Sequence, residues 1–184
     1  DTRYSAPQTT KFISQPFGST EFDLFHFECI TDGAYANDKF KVSISDIKAS
    51  ADPNDDFGTF EVQIRKFDDS DLAPQIIERF PGLSLNPNDE RYIARVIGDF
   101  RLRFNFDEVD EDERRLVLSG KYPNRSSYVR VQMSTESLSG EVPAAALPFG
   151  FRGIPALYTS PTRVNPTSED GSYALGTSRL HCKD

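Results

Sequence analysis

Bulky apolar residues recur at every second position along this chain, and that period leaves little room for anything but a sheet protein. Phe25, Phe27 and Cys29 alternate, as do Phe40, Val42 and Ile44, then Phe60, Val62 and Ile64, then Phe100, Leu102, Phe104 and Phe106, then Val129, Val131 and Met133. Successive side chains of a strand point to opposite faces, so each run places its large residues on one face. Between Lys39 and Ile47 the other face carries Lys41, Ser43 and Ser45, as expected of a sheet wetted on one side. Turn residues separate the runs at Asp32-Gly33, Ala51–Gly58, Asp68–Pro74 and Gly120–Ser127. The strands over about 39–47 and 59–67, joined by a polar loop, read as antiparallel neighbours. A short strand is expected from Ile76 to Phe80, ended by Pro81-Gly82.

Composition agrees with that reading. The apolar fraction is only 37 %, but 15 Phe and 7 Tyr make it bulky, and aromatic residues pack well on a pleated surface. A chain of 184 residues buries roughly 70 % of its unfolded surface and folds without a metal or a disulfide. One helix start stands out. Asn86 is a capping residue, Pro87 suits the first helical position, and Asp89 and Glu90 suit the positive end of the dipole. Tyr92, Ile93, Val96 and Ile97 follow as an apolar stripe, and Gly98 stops it. The expected fold is therefore α+β and mostly β. Antiparallel sheets carry one short amphipathic helix, about residues 87–97, and end in a long irregular C-terminal segment.

Three stretches organise the chain. Residues 1–19 are polar and hold Pro7, Pro16 and Gly18; they read as an N-terminal arm or linker, not a core element. Residues 20–135 read as the β-rich domain. Residues 136–184 are rich in Pro and Gly and irregular. Leu147, Phe149, Phe151, Ile154, Leu157 and Tyr158 within them predict packing on the domain or a lead into a further one. Asp1 in first place is read as the mark of processing or of a fragment.

The chemistry points away from catalysis. His26 and His181 are the only histidines. His26 and Cys29 stand three apart in a strand pattern, which puts them on opposite faces and not in a nucleophile–base pair. Cys29 reads as a buried free thiol, and Cys182 lies near the chain end. Asp107, Glu108, Asp110, Glu111, Asp112 and Glu113 lack the Gly and ligand spacing of a calcium loop, so they read as a solvated turn, as do Asp52, Asp55 and Asp56. No catalytic, cofactor-binding or metal-ligating residue is assigned, no cofactor is expected, and the chain reads as a structural protein and not an enzyme. The net charge of −8 and the absence of a basic cluster argue against nucleic acid as a partner. No apolar run approaches the ~20 residues of a membrane helix, so no membrane insertion is expected.

One segment carries a resemblance. The run Glu78-Arg79-Phe80-Pro81-Gly82-Leu83-Ser84-Leu85-Asn86-Pro87, continued by Tyr92-Ile93, Val96-Ile97-Gly98, resembles a signature of contractile-tail bacteriophage tail sheath proteins, the myovirus sheath family. Asp32-Gly33-Ala34-Tyr35-Ala36-Asn37 before the strand at Phe40, and Gly58-Thr59-Phe60-Glu61-Val62, resemble that family's preceding turn and strand in the same order. Leu147-Pro148-Phe149-Gly150-Phe151-Arg152-Gly153 is similar, more loosely, to a segment of its larger members. The resemblance covers about residues 22–105 and touches 140–160. It implies a structural subunit, as a fragment, of a virion tail sheath that polymerises helically around the tail tube and contracts to drive it through the host envelope. Its implied partners are other sheath subunits, with the tail tube and baseplate reached by parts not in this chain. Its implied location is the phage tail, and the host cytoplasm during assembly. The alternative reading is a glycan- or receptor-binding β-domain of a viral or surface protein.

Overall fold

The computed structural model describes residues 6–33, 35–53, 55–104 and 115–153, and the backbone of 177–179. The fold is mostly β with short helices, and every pairing between its strands is antiparallel. The strands are β1 (Phe12–Ser14), β2 (Asp23–Cys29), β3 (Phe40–Lys48), β4 (Thr59–Lys66), β5 (Ile76–Ser84), β6 (Arg101–Phe104), β7 (Leu116–Ser119), β8 (Val129–Met133), β9 (Pro148–Phe151) and β10 (Thr177–Arg179). The helices are α1 (Tyr35–Lys39), α2 (Ile93–Ile97) and α3 (Thr135–Ser139). One sheet runs β8-β2-β1-β9, a second β10-β3-β4-β5, and β6 and β7 form a separate two-stranded ribbon.

The two larger sheets share one core. Phe25 of the first sheet stacks on Phe60 of the second at 6.0 Å and 12°. Phe12 stacks on Phe25 at 5.3 Å and meets Phe27 edge-on at 5.7 Å. Phe40 meets Tyr128 edge-on at 5.3 Å. Offset and edge-on contacts of this kind add to what ring burial alone contributes. Val42, Val62, Ile64, Val129 and Val131, all fully buried, complete the layer. The alternating runs of β2, β3, β4 and β8 thus place their large residues in the core, and β3 and β4 pair in register from Phe40↔Lys66 to Ser45↔Glu61.

Of the arm expected over 1–19, the described residues 6–19 depart from that reading. Phe12, Ile13 and Ser14 are buried, and β1 lies between β2 and β9 inside the first sheet. Three residues are too few to display a period, and the flanking prolines drew attention instead. The C-terminal stretch contributes β9, which pairs with β1, and Leu147, which is buried in the core. Phe149 is exposed. Ile154, Leu157 and Tyr158 lie outside the described residues.

The single helix expected over 87–97 is shorter, and two more exist. Asn86 Oδ1 accepts from the Asn88 N–H at 3.0 Å, and Asp89 Oδ1 accepts from the Arg91 N–H at 2.8 Å. These side chains close local turns, in competition with a helix. Helix α2 therefore begins only at Ile93, with Tyr92 at its N-cap and no side-chain cap. It is buried and not amphipathic: Ile93, Ala94, Val96 and Ile97 are all covered, against β5 and β8. Helix α3 carries its start signal at Ser134, whose hydroxyl accepts from the Ser137 N–H at 3.0 Å, while Gly140 closes the helix in the left-handed region.

Pro81-Gly82 does not end β5. Phe60 faces Leu83 and Val62 faces Phe80, so β5 carries one residue more than β4 between these pairs. That is a bulge, with Gly82 at φ +60°. β5 is the outer strand, so the N–H that proline lacks is not needed by a neighbour. The Arg91 guanidinium donates to the Pro81 carbonyl and, at 3.3 Å, to that of Gly82.

Candidate interaction surface: the β6–β7 ribbon

The alternation over Phe100–Phe106 predicts a strand. β6 is a strand, but all four of its residues are exposed. Leu102 lies opposite Leu118 and Phe104 opposite Leu116. Residues directly opposite in an antiparallel pair share a face, so the four form one apolar ladder. Leu102 is 60 % exposed, Leu116 61 %, Leu118 54 % and Phe104 42 %. Scattered exposed leucines are ordinary, but a contiguous exposed ladder is a candidate contact surface. Phe106 lies outside the described residues.

The root of this ribbon is clamped. The Asp99 N–H donates to the Tyr122 carbonyl at 3.1 Å, and Asp99 Oδ1 accepts from the N–H groups of Lys121 and Tyr122 at 2.8 and 2.6 Å. Asn124 bonds both backbone groups of Phe100 at 2.9 Å, its Oδ1 accepting and its Nδ2 donating. Strand β8 is tied in as well, since the Val131 N–H donates to the Gly98 carbonyl at 2.9 Å. Gly98 has φ +107°, and a Cβ there would lie 2.3 Å from Asn124 Cα. Only glycine fits so close an approach in that conformation.

Charge anchors the ribbon to the first sheet. Glu28, buried in β2, pairs with Arg130 Nε at 2.9 Å and with Arg101 Nη2 at 3.3 Å. On the other side of the root, Tyr122 meets Tyr92 edge-on at 6.1 Å, and Arg95 lies 5.4 Å from its ring centroid. A hydrogen bond from Arg95 holds the Tyr122 hydroxyl below the usual phenol range. Burial pushes Tyr92 up to about 12, with Tyr122 and Asp99 adding to the effect. Tyr92 is therefore neutral near pH 7.

The residues weighed for chemistry are dispersed. Cys29 is buried, with its Sγ 3.2 Å from Thr31 Oγ1. His26 is half-buried on β2, opposite Gln132. Asp55 Oδ1 accepts from the Phe57 N–H at 3.0 Å and so closes a turn. No group of three or more His, Cys, Asp or Glu is placed to hold a metal among the described residues. No helix among them is long and apolar enough to cross a membrane. The acidic run 107–113, His181 and Cys182 lie outside the described residues.

A second charged cluster escaped the sequence reading. Asp69, with its side chain wholly covered, accepts from Arg65 Nε at 2.7 Å and Nη2 at 2.8 Å, and from the Gln75 N–H at 2.7 Å. Lys41 Nζ lies 2.6 Å from its other oxygen. Arg65, the largest influence, holds the Asp69 carboxyl far below the usual carboxylate range. Asp69 sits in a run of loop-type residues, and nothing in the local pattern marked it apart from Asp68 or Asp71.

Compared with models of protein families, with curated proteins and with solved structures, the chain matches none.

Proposed function

We propose that this chain is a structural part of a contractile tail sheath subunit, working by shape and by contact with further copies. The observation that carries the reading is the apolar ladder of the β6–β7 ribbon, presented on a clamped root at the end of the segment that resembles the sheath signature. The resembling segments also form one unit. They supply β3, β4 and β5, adjacent in one sheet, and α2, whose Gly98 opens the ribbon. A polymer of this kind draws its work from differences in subunit contacts between two lattices, which calls for exposed, rigidly held surfaces. Contacts with the tail tube and baseplate are assigned by the same resemblance to parts of the subunit other than this chain. The setting is the virion tail.

The test is negative-stain microscopy of the complete gene product. Tubes or rings of uniform diameter are the expected result. A preparation that never assembles, together with a specific hit on a glycan array, would transfer the chain to the receptor-binding class.

A further inference from the structure

We infer that residues 135–152 form a strap that opens and closes as one unit on a body that stays folded, with Asp23 as its fastening. The motion is internal to one copy and does not rest on the sheath reading.

Both ends of the strap come to one residue. At its start, in α3, Glu136 Oε2 accepts from the Asp23 N–H at 2.8 Å, and the Ser134 hydroxyl just before it donates to the Asp23 carbonyl. At its end, Arg152 Nε donates to Asp23 Oδ1 at 2.7 Å. Lys11 Nζ holds the other carboxylate oxygen at 2.7 Å, and the Lys11 carbonyl accepts from the Arg152 N–H at 2.8 Å. Burial alone would raise the Asp23 pKa, but the hydrogen bonds from Lys11 and Arg152 prevail and hold the carboxyl below the usual range. Asp23 is therefore ionised near pH 7, and its bonds to the two cations are of the strong, charge-assisted kind.

A second fastening sits mid-strap. The Gln15 amide donates through Nε2 to the Ala145 carbonyl at 2.8 Å and accepts through Oε1 from the Leu147 N–H at 2.9 Å. One side chain thus supplies the donor and the acceptor that a neighbouring strand would offer.

The rest of the hold is thin. Between Thr135 and Arg152 only Ala146, Leu147 and Pro148 are buried, and α3 buries nothing. Leu138 and Phe149 are exposed. β9 pairs with β1 alone, with a shift of register. The neighbouring β2 and β8, by contrast, send Phe25, Phe27, Val129 and Val131 into the core. Segments with few buried apolar contacts open at lower free energy than the body, and do so as cooperative units. Because Glu136 and Arg152 share Asp23, releasing one end of the strap loosens the other. Opening bares the outer rim of β1 and one side of Phe12, whose ring meets Phe151 at 6.3 Å.

Native-state amide exchange on the whole chain, across a series of low urea concentrations, reads the motion. The amides of Leu138, Leu147 and Arg152 report the strap, and those of Ile64 and Val131 the body. The strap amides should exchange at least tenfold faster than the body amides, with one shared and smaller urea slope. Asp23→Asn keeps the shape and loses the charge, and should speed strap exchange about tenfold. Ile64→Val raises the energy of the closed and open forms alike. It should therefore speed exchange at Val131 several-fold and leave the strap rates unchanged. Should Asp23→Asn fail to fold, Gln15→Ala carries the same test with a several-fold effect. Strap amides that share the rate and slope of the body overturn the inference, as do three strap amides with three different slopes. Strap rates indifferent to both Asp23→Asn and Gln15→Ala overturn it as well.

Discussion

The β3–β4 pair and β6, the first strand of the β6–β7 pair, carry the same written signal and meet opposite fates. In the first, Phe40, Val42, Phe60, Val62 and Ile64 are all 3 % exposed or less. In the second, Leu102 and, opposite it in β7, Leu118 leave more than half their surface open. Alternation reports that a segment is a strand and which residues share a face. It does not report what covers that face. For β3 and β4 the cover is the first sheet, delivered by Phe25 and its neighbours. For β6 and β7 no described strand supplies it.

The largest break of this contrast comes from the covered side. Phe25→Ala removes a ring that contacts Phe12, Phe27 and Phe60. It lowers stability by about 3–5 kcal/mol, measured from urea midpoints at unchanged slope. A loss under about 1 kcal/mol would mean that the two sheets do not share a core.

Gly98→Ala comes next. It joins a left-handed conformation to a backbone clash at the junction of body and ribbon, and costs about 3 kcal/mol. Hydrogen exchange should quicken in 101–104 and 116–119 beyond what global unfolding explains. Uniform exchange would show that the root does not hold the ribbon.

Acid separates the regions more gently. Asp69 has a folded pKa below its unfolded value near 4, so its contribution is complete above that value. The contribution is lost as pH falls through the lower, folded value. Asp69→Asn removes about 2 kcal/mol at pH 7 and flattens the acid limb of the stability curve. An acid limb of unchanged slope would remove Asp69 from the account.

The smallest effect on folding belongs to the ladder. Leu102→Ser with Leu118→Ser shifts the free energy of the monomer by no more than about 0.5 kcal/mol. A loss of several kcal/mol would mean that the ladder is covered within one copy, and the contrast would vanish.

These differences bound what the sequence made legible. The mostly β class, the antiparallel β3–β4 pair and the inward sets of β2, β4 and β8 follow from a local period, and local periods can be read. β1 could not be read, because three residues show no period and its place depends on β9, which reaches it from a distant part of the chain. The early helix start at Asn86 failed since the same side chains satisfy a turn as readily as a helix end. The charged group around Glu28 was invisible because its partners Arg101 and Arg130 lie far away in sequence, and Asp69 was hidden because nearby Arg65 and Gln75 do not set it apart from Asp68 or Asp71. The ribbon was half legible: the alternation of β6 was plain, its exposure was not.

The kink at Pro81-Gly82 has a consequence for crowding. An outer strand of a sheet is ordinarily an invitation to the next chain, since its unsatisfied amides and carbonyls template further strands. Here that rim is bent out of true, lacks a donor where Pro81 sits, and has a carbonyl occupied by Arg91. Copies packed at high local density are thereby discouraged from zipping rim to rim into fibrils.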